Sequence, residues 1–203
     1  MIRTVTGDCY NHASVAFSAT PHLLYSFARI HNISPLVGGP VAEYLCRFTH
    51  GGQARVPAAV FAISVTPETY RRARRIVRRI FNDDEYIYNL LSVASYPMLG
   101  GFETYKAYSC SEFVAVLLHL IGIDVGGRAP GCRPDDLFYF LQKHPDAQEI
   151  WHGDIRGFLK EPRNSPCRRD DFFALPNSDM AIEAGECFFE LLRRTLGARA
   201  KHT

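Results

Sequence analysis

The sequence predicts an α+β domain in which an antiparallel sheet packs on a helix that starts at Cys110, and two local patterns carry that prediction. The first is Ser109-Cys110-Ser111-Glu112 running into the largely apolar stretch 113–121. A serine followed three residues later by a glutamate is a capping box. The hydroxyl accepts from the N–H of Glu112 while the carboxyl accepts from the N–H of Ser109. Cys110 therefore takes the first helical position. The second pattern is the alternating stretch 10–18, a turn at 19–22 and a returning apolar stretch 23–27, which together read as a β-hairpin carrying His12.

The remaining elements follow in order. Residues 56–65 read as a buried strand, and Thr66-Pro67-Glu68 then opens a helix with an N-cap, a proline at its first position and an early acid. That helix runs to Phe81, with Tyr70, Ala73, Val77 and Ile80 as its apolar stripe and Arg71, Arg72, Arg74, Arg75, Arg78 and Arg79 on the other side. The arginine face reads as solvated and balanced in part by Asp83, Asp84 and Glu85. No aromatic residues interleave the arginines, so nucleic acid is not an expected partner, and contact with a membrane surface is the less favoured reading. Gly126-Gly127-Arg128-Ala129-Pro130-Gly131 is a loop without the Gly-Lys-Ser/Thr ending of a phosphate loop. Arg133-Pro134-Asp135-Asp136 starts a short helix to Lys143, and residues 150–155 form a last strand. Residues 160–176, with three prolines and a cluster of arginines, read as a linker. An amphipathic helix over 178–196 draws its apolar surface from Ile182, Phe188, Phe189, Leu192 and Leu196, and the basic end 193–201 is expected to fray. The organisation is thus a main domain over 1–160, a linker over 161–177, and a helix with its tail over 178–203.

Composition bounds the function. The chain has 203 residues, 47% hydrophobic and 12% aromatic, enough to bury a core. A net charge of +2 and a pI near 8.2 do not demand a nucleic-acid partner. There is no run of 18 apolar residues. Residues 1–8 lack the apolar region of a secretory signal, so a cytoplasmic location is the expectation. The six cysteines, at 9, 46, 110, 132, 167 and 187, show no C-x-x-C pairing and are expected to be reduced thiols. Cys9 and His12 have a ligand-like interval, but no further ligands are nominated, so no metal and no cofactor are expected.

At a helix start, unpaired amides and the macrodipole favour an anion, which lowers the pKa of a thiol there from its usual ~8.5. A nucleophilic thiol needs a base, and His12 in Asn11-His12-Ala13-Ser14-Val15-Ala16 supplies an imidazole on the predicted hairpin.

With these residues in this order, the chain resembles the circularly permuted branch of the NlpC-type papain-like cysteine hydrolases, the YiiX/YaeF-like group. Ordinary NlpC peptidases place the cysteine first, in Asp-Cys-Ser-Gly-Phe/Leu-Val, with the histidine strand after it; the permuted branch reverses the order, as this chain does. The resemblance extends to Tyr25-Ser26-Phe27-Ala28-Arg29, Gly38-Gly39-Pro40-Val41-Ala42-Glu43, Tyr86-Ile87-Tyr88-Asn89 and Pro134-Asp135-Asp136-Leu137, over residues 5–158.

The resemblance implies a permuted papain-like fold with Cys110 as nucleophile and His12 as general base. Tyr86 matches the tyrosine that precedes the cysteine in the family and is expected to line the oxyanion site. Families of this fold place His, Asn, Gln or Glu as the third, orienting residue, and the returning strand here has none of them. Ser26 is the expected third residue. Glu43, after a Gly-Gly that suggests close backbone approach, is the alternative and otherwise a substrate contact. The implied reaction is hydrolysis of a small peptide or amide through an acyl-enzyme. A lipid acyltransferase or thioesterase with the same dyad is the closest alternative, since enzymes similar to lecithin retinol acyltransferase share the permuted arrangement. Those carry Asn-Cys-Glu-His-Phe where this chain has Ser-Cys-Ser-Glu-Phe. A non-catalytic binding module that keeps the fold is the third reading.

Overall fold

A computed structural model describes residues 9–18, 21–34, 36–49, 54–159, 172 and 177–199. In chain order the elements are β1 (Leu24–Arg29), β2 (Gly38–Glu43), α1 (Leu45–Phe48), β3 (Pro57–Ile63), α2 (Pro67–Phe81), β4 (Ile87–Tyr88), α3 (Leu90–Ala94), α4 (Tyr96–Leu99), β5 (Ala107–Tyr108), α5 (Cys110–Leu120), a 3-10 turn (Ala129–Gly131), α6 (Pro134–Lys143), β6 (Ala147–Asp154), α7 (Ile155–Phe158) and α8 (Ser178–Arg199). The strands pair in twos: β1 with β2 and β3 with β6 are antiparallel, and β4 with β5 is parallel. Small antiparallel sheets among several helices fit the α+β class.

The expected hairpin over 10–27 is replaced by a different pairing. Residues 10–14 form no strand, and the stretch touches β1 through a single bridge, Val15 to Tyr25, closed by two hydrogen bonds of 2.9 and 2.8 Å. The ladder partner of β1 is β2, with Ser26 opposite Val41 and Leu24 opposite Glu43. Something other than a ladder holds the His12 segment. The Asp135 carboxylate, at the start of α6, accepts the backbone N–H of Cys9 at 2.9 Å and of Tyr10 at 2.8 Å. Carboxylate acceptors are stronger than carbonyls, so the segment loses little by leaving the sheet.

Helix α2 begins and ends where its caps say it should. Thr66 Oγ1 accepts the N–H of Thr69, Pro67 occupies the first position, and the helix stops at Phe81. Ala73, Val77 and Ile80 are buried while all six arginines of the opposite face are exposed. Strand β3 is shorter than expected and only half-buried, and β6 starts three residues earlier than its apolar residues suggest. Pairing with β3, interrupted by a bulge between Val60 and Phe61, carries the polar Gln148 and Glu149 into the strand. Backbone pairing at a surface outweighs side-chain pattern there.

The core lies where α2 and α5 meet β1. Phe27 and Phe113 are fully buried with ring centroids 5.2 Å apart, Phe81 stands 6.1 Å from Phe113, and Val77, Ile80, Leu117, Leu118 and Leu137 fill in around them. Strand β2 reaches β4 through glycine. A Cβ on Gly38 would stand 2.7 Å from Tyr88 Cβ and 2.9 Å from the Ala28 carbonyl oxygen, and one on Gly39 would stand 3.1 Å from the Tyr86 carbonyl oxygen. The close approach suggested by Gly38-Gly39 is therefore present, and its neighbour is the strand leading to Tyr88.

Helix α8 turns only part of its nominated apolar surface inward, Phe188 and Leu192 being half-buried. Leu191 and Thr195 are buried, and Arg194 Nη1 donates to the carbonyl oxygens of Glu85 at 2.8 Å and Tyr105 at 3.2 Å. Ile182, Phe189 and Leu196 face solvent instead, at 62%, 69% and 56% exposure. Specific hydrogen bonds at Arg194, together with Leu191, set which face turns inward. The predicted linker lies outside the described residues, apart from Asn177 and Phe172, the latter's ring carrying the Arg47 guanidinium at 4.6 Å.

Cys46 is disulfide-bonded, with its partner outside the described residues, while Cys9, Cys110, Cys132 and Cys187 are free. This corrects the expectation that all cysteines are reduced, which rested on the lack of a C-x-x-C spacing. No helix among the described residues is long and apolar enough to cross a membrane.

Substituting Gly38→Ala is expected to destabilise the fold by about 1–3 kcal/mol, because the new methyl meets Tyr88 and backbone with little room to relax. Urea unfolding checks this, and Gly100→Ala serves as the contrast: its φ of 63° disfavours a side chain, but its Cβ would meet open space.

Candidate active site

The first turn of α5 is buried. Ser109, Cys110, Ser111 and Glu112 are each almost wholly covered, Cys110 being 4% exposed. The capping box forms as predicted: the N–H of Glu112 donates to Ser109 Oγ at 3.2 Å and the N–H of Ser109 donates to Glu112 Oε2 at 3.1 Å. Neighbours complete the network. Tyr96 Oη stands 3.1 Å from Ser109 Oγ, Ser111 Oγ donates to the Cys132 carbonyl oxygen at 2.6 Å, and the Asn89 side chain hydrogen-bonds Glu112. Burial pushes the Glu112 carboxyl up to about 7, against the lowering effect of the Ser109 N–H.

His12 joins Cys110 to Glu43. Its Nε2 stands 2.8 Å from Glu43 Oε2, and the ring lies close enough to the Cys110 thiol that each shifts the other's titration. With Nε2–H donating to the carboxylate, Nδ1 is the nitrogen left for the sulfur. Burial opposes charge on His12, but Glu43 and Cys110 outweigh it and hold the imidazole well above its usual range. At Cys110, burial again opposes charge. His12, together with the N–H groups of Ala13 and Ser111, holds the thiol below its usual value. Both shifts favour a thiolate–imidazolium pair.

The sequence-predicted residues divide as follows. Cys110 and His12 meet. Glu43, first taken as an alternative third residue or a substrate contact, is the group that touches the imidazole. Ser26 does not contact His12; its hydroxyl donates to Glu43 Oε2 at 2.6 Å and so braces the carboxylate one step further out. The register explains this. Leu24 stands opposite Glu43, and Ser26, two residues on, shares that face of the sheet and reaches the carboxylate diagonally. Tyr86 lies in the aromatic cluster, stacked on Tyr108 at 5.7 Å and edge-on to Phe27 at 6.1 Å. The tyrosine that shares the pocket wall with Cys110 is Tyr88, and burial, with Cys110 beside it, raises its pKa well above the ordinary phenol value.

A small pocket opens beside Cys110, lined by Tyr88, Val93, Tyr96, Ser109, Ser111, Arg133 and Pro134. Arg133 is turned toward Asp136, with Nε at 3.1 Å and Nη2 at 3.0 Å from its oxygens. On α4, just past Tyr96, Met98 and Leu99 are 89% and 59% exposed. Sequence reasoning passed over Tyr88, Tyr96 and Asp135. The parallel pairing that sets Tyr88 opposite Tyr108, two residues before Cys110, has no local signature. Asp135 had one: Asp136 satisfies the local N–H of Arg133 at 2.9 Å, which leaves its buried neighbour for another segment. Among the described residues, no group of three or more His, Cys, Asp or Glu is placed to hold a metal ion.

No family model matches this sequence, and no curated protein or solved structure matches it at a significant level.

Glu43→Gln is expected to lower the His12 pKa, because the charge that favours imidazolium is removed while burial remains. Ser26→Ala moves it in the same direction by less. Histidine NMR titration reads both, and an unchanged His12 midpoint in Glu43→Gln would contradict the assigned contact. Asp135→Ala removes two hydrogen bonds to a carboxylate and is expected to cost about 1.5–3 kcal/mol of stability. It should also slow Cys110 alkylation at neutral pH, as His12 loses its anchor.

Proposed function

We propose that this chain is a cysteine-dependent hydrolase that cleaves an amide or peptide bond through an acyl-enzyme on Cys110. The observation that carries this reading is the line Ser26–Glu43–His12–Cys110, in which one imidazole serves both a thiol at a helix start and a buried carboxylate. The Cys110 thiolate attacks the substrate carbonyl, and the negative charge that develops on oxygen is received by the Tyr88 hydroxyl. The His12 imidazolium gives its proton to the leaving amine as the C–N bond breaks. Water then attacks the thioester, His12 takes its proton, and the carboxylic acid leaves with the thiolate restored. Glu43 keeps the ring oriented and supports its positive charge; Ser26 supports Glu43.

A second reading, transfer or hydrolysis of an acyl ester or thioester, rests on the pocket walls. Val93, Tyr96 and Pro134 are apolar or aromatic, and Met98 and Leu99 are exposed on the same short helix as Tyr96. Such walls suit a hydrophobic acyl group. The disulfide at Cys46 favours an oxidising compartment over the reducing cytoplasm expected from residues 1–8.

The pH dependence follows from the signs of the two shifts. Cys110 is lowered from 9.0 and His12 raised from 6.5, so the charged pair appears as pH rises through the thiol's depressed value and is lost as pH rises through the imidazole's elevated one. Iodoacetamide alkylation of Cys110, mapped by mass spectrometry, is expected to be fast near neutral pH. In His12→Ala only burial and the two N–H donors remain, so the profile moves upward and the neutral-pH rate falls roughly tenfold for each unit of thiol pKa. An ordinary thiol profile in both proteins would defeat the catalytic reading. Incubation with peptide amides and with acyl esters, followed by mass analysis for an acyl group on Cys110, separates the two substrate classes. Tyr88→Phe should reduce turnover by about 10²-fold if its hydroxyl meets the oxyanion.

A further inference from the structure

The outward face of α8 has no use in the site described above. Ile182, Phe189 and Leu196 recur every seven residues along it and stand 62%, 69% and 56% exposed, although each is large and apolar. The stripe spans about 21 Å, at 1.5 Å of rise per residue. Gly185 lies on the same face between the first two, and a Cβ there would meet nothing within 4 Å, so the helix backbone is open to close approach. The opposite side of α8 is already engaged, through Leu191, Thr195, Arg194 and the contact of Glu183 with His31 at 3.2 Å. The apolar residues of α8 are therefore divided between two faces, one buried and one uncovered. Surface apolar residues scattered singly need no explanation, but a periodic row along three helical turns does.

The charges beside the row choose the occupant. Glu186 and Arg193 are seven residues apart on one flank of the stripe, and Arg193 is held in place by Glu190, with Nε at 2.8 Å and Nη2 at 2.7 Å. A like helix laid parallel would bring this flank against the partner's opposite flank, where Gly185, Phe188 and Leu192 stand and no charge answers Glu186 or Arg193. Laid antiparallel, it sets each Glu186 against an Arg193, twice, about a two-fold axis. We infer that the outward face of α8 is a self-docking surface on which a second copy of this chain lays its own α8 antiparallel, with the two-fold axis near Phe189. Ile182 of each copy then covers Leu196 of the other, the two Phe189 rings meet at the centre, and Gly185 leaves room for the approach. An isologous pairing of this kind closes on itself and leaves no further copy to recruit.

The test is the oligomeric state of the full chain, by sedimentation or light scattering over a concentration series. A dimer is expected, and Phe189→Glu should raise its Kd by about 30-fold or more, since a central aromatic anchor is replaced by two facing carboxylates. Because Phe189 faces solvent in one copy, far-UV circular dichroism and the rate of Cys110 alkylation should stay as in the parent. Glu186→Arg and Arg193→Glu should each weaken the dimer about fivefold, and the double reversal should recover most of the loss. A chain that stays monomeric at every concentration, a dimer indifferent to Phe189→Glu, or a double reversal no better than either single change would each overturn the inference.

Discussion

The arrangement around Cys110 follows from one constraint: the first turn of α5 is buried, and the backbone N–H groups at a helix start have no partners within the helix. Water cannot serve them here. The capping box takes care of Ser109 and Glu112, and the N–H groups of Ser111 and Ala13 favour negative charge on the Cys110 sulfur. Each side chain recruited in this way has polar atoms of its own to satisfy. Tyr96 therefore comes to Ser109, Asn89 to Glu112, and Ser111 reaches the carbonyl of Cys132. These contacts draw α3, α4 and the approach to α6 around the cysteine, and the pocket is what remains between them.

The same burial decides the electrostatics. Desolvation works against charge at both Cys110 and His12, so each charged form persists only through the other and through Glu43. The two buried glutamates then have opposite surroundings. Glu43 meets a histidine and a hydroxyl and can serve as the counter-charge of an imidazolium. Glu112 meets only N–H groups and an amide, with Glu103 adding repulsion, and its carboxyl rises to about 7. Two carboxyls on neighbouring elements thus take different roles because one faces a cation and the other does not.

His12 reaches this network without a sheet to carry it. A ladder would have fixed its direction by the two-residue alternation of a strand. Instead, Asp135 grips the backbone just before it, the Val15–Tyr25 bridge fixes the backbone just after it, and the Phe48 ring stands 5.6 Å from the imidazole. Cys9, three residues before His12, has its N–H tied to α6 and its thiol free and exposed.

What the sequence determined by itself is what short-range chemistry encodes. The start of α5 at Cys110, the caps and stripe of α2, the start of α6 and the glycine approach of β2 all depend on residues within a few positions of one another, and all are present. Tertiary structure decided everything that depends on which distant segments meet. The register of β1 with β2 made Glu43 rather than Ser26 the partner of His12, and the parallel pairing of β4 with β5 brought Tyr88 rather than Tyr86 to the thiol. Two hydrogen bonds from Asp135 turned an alternating, strand-like stretch into a strap, and Arg194 chose which side of α8 faces inward. Residues such as Ser26 and Glu43 are equally polar and equally plausible in one dimension. They differ only in their distance from an imidazole, and that distance is set by packing.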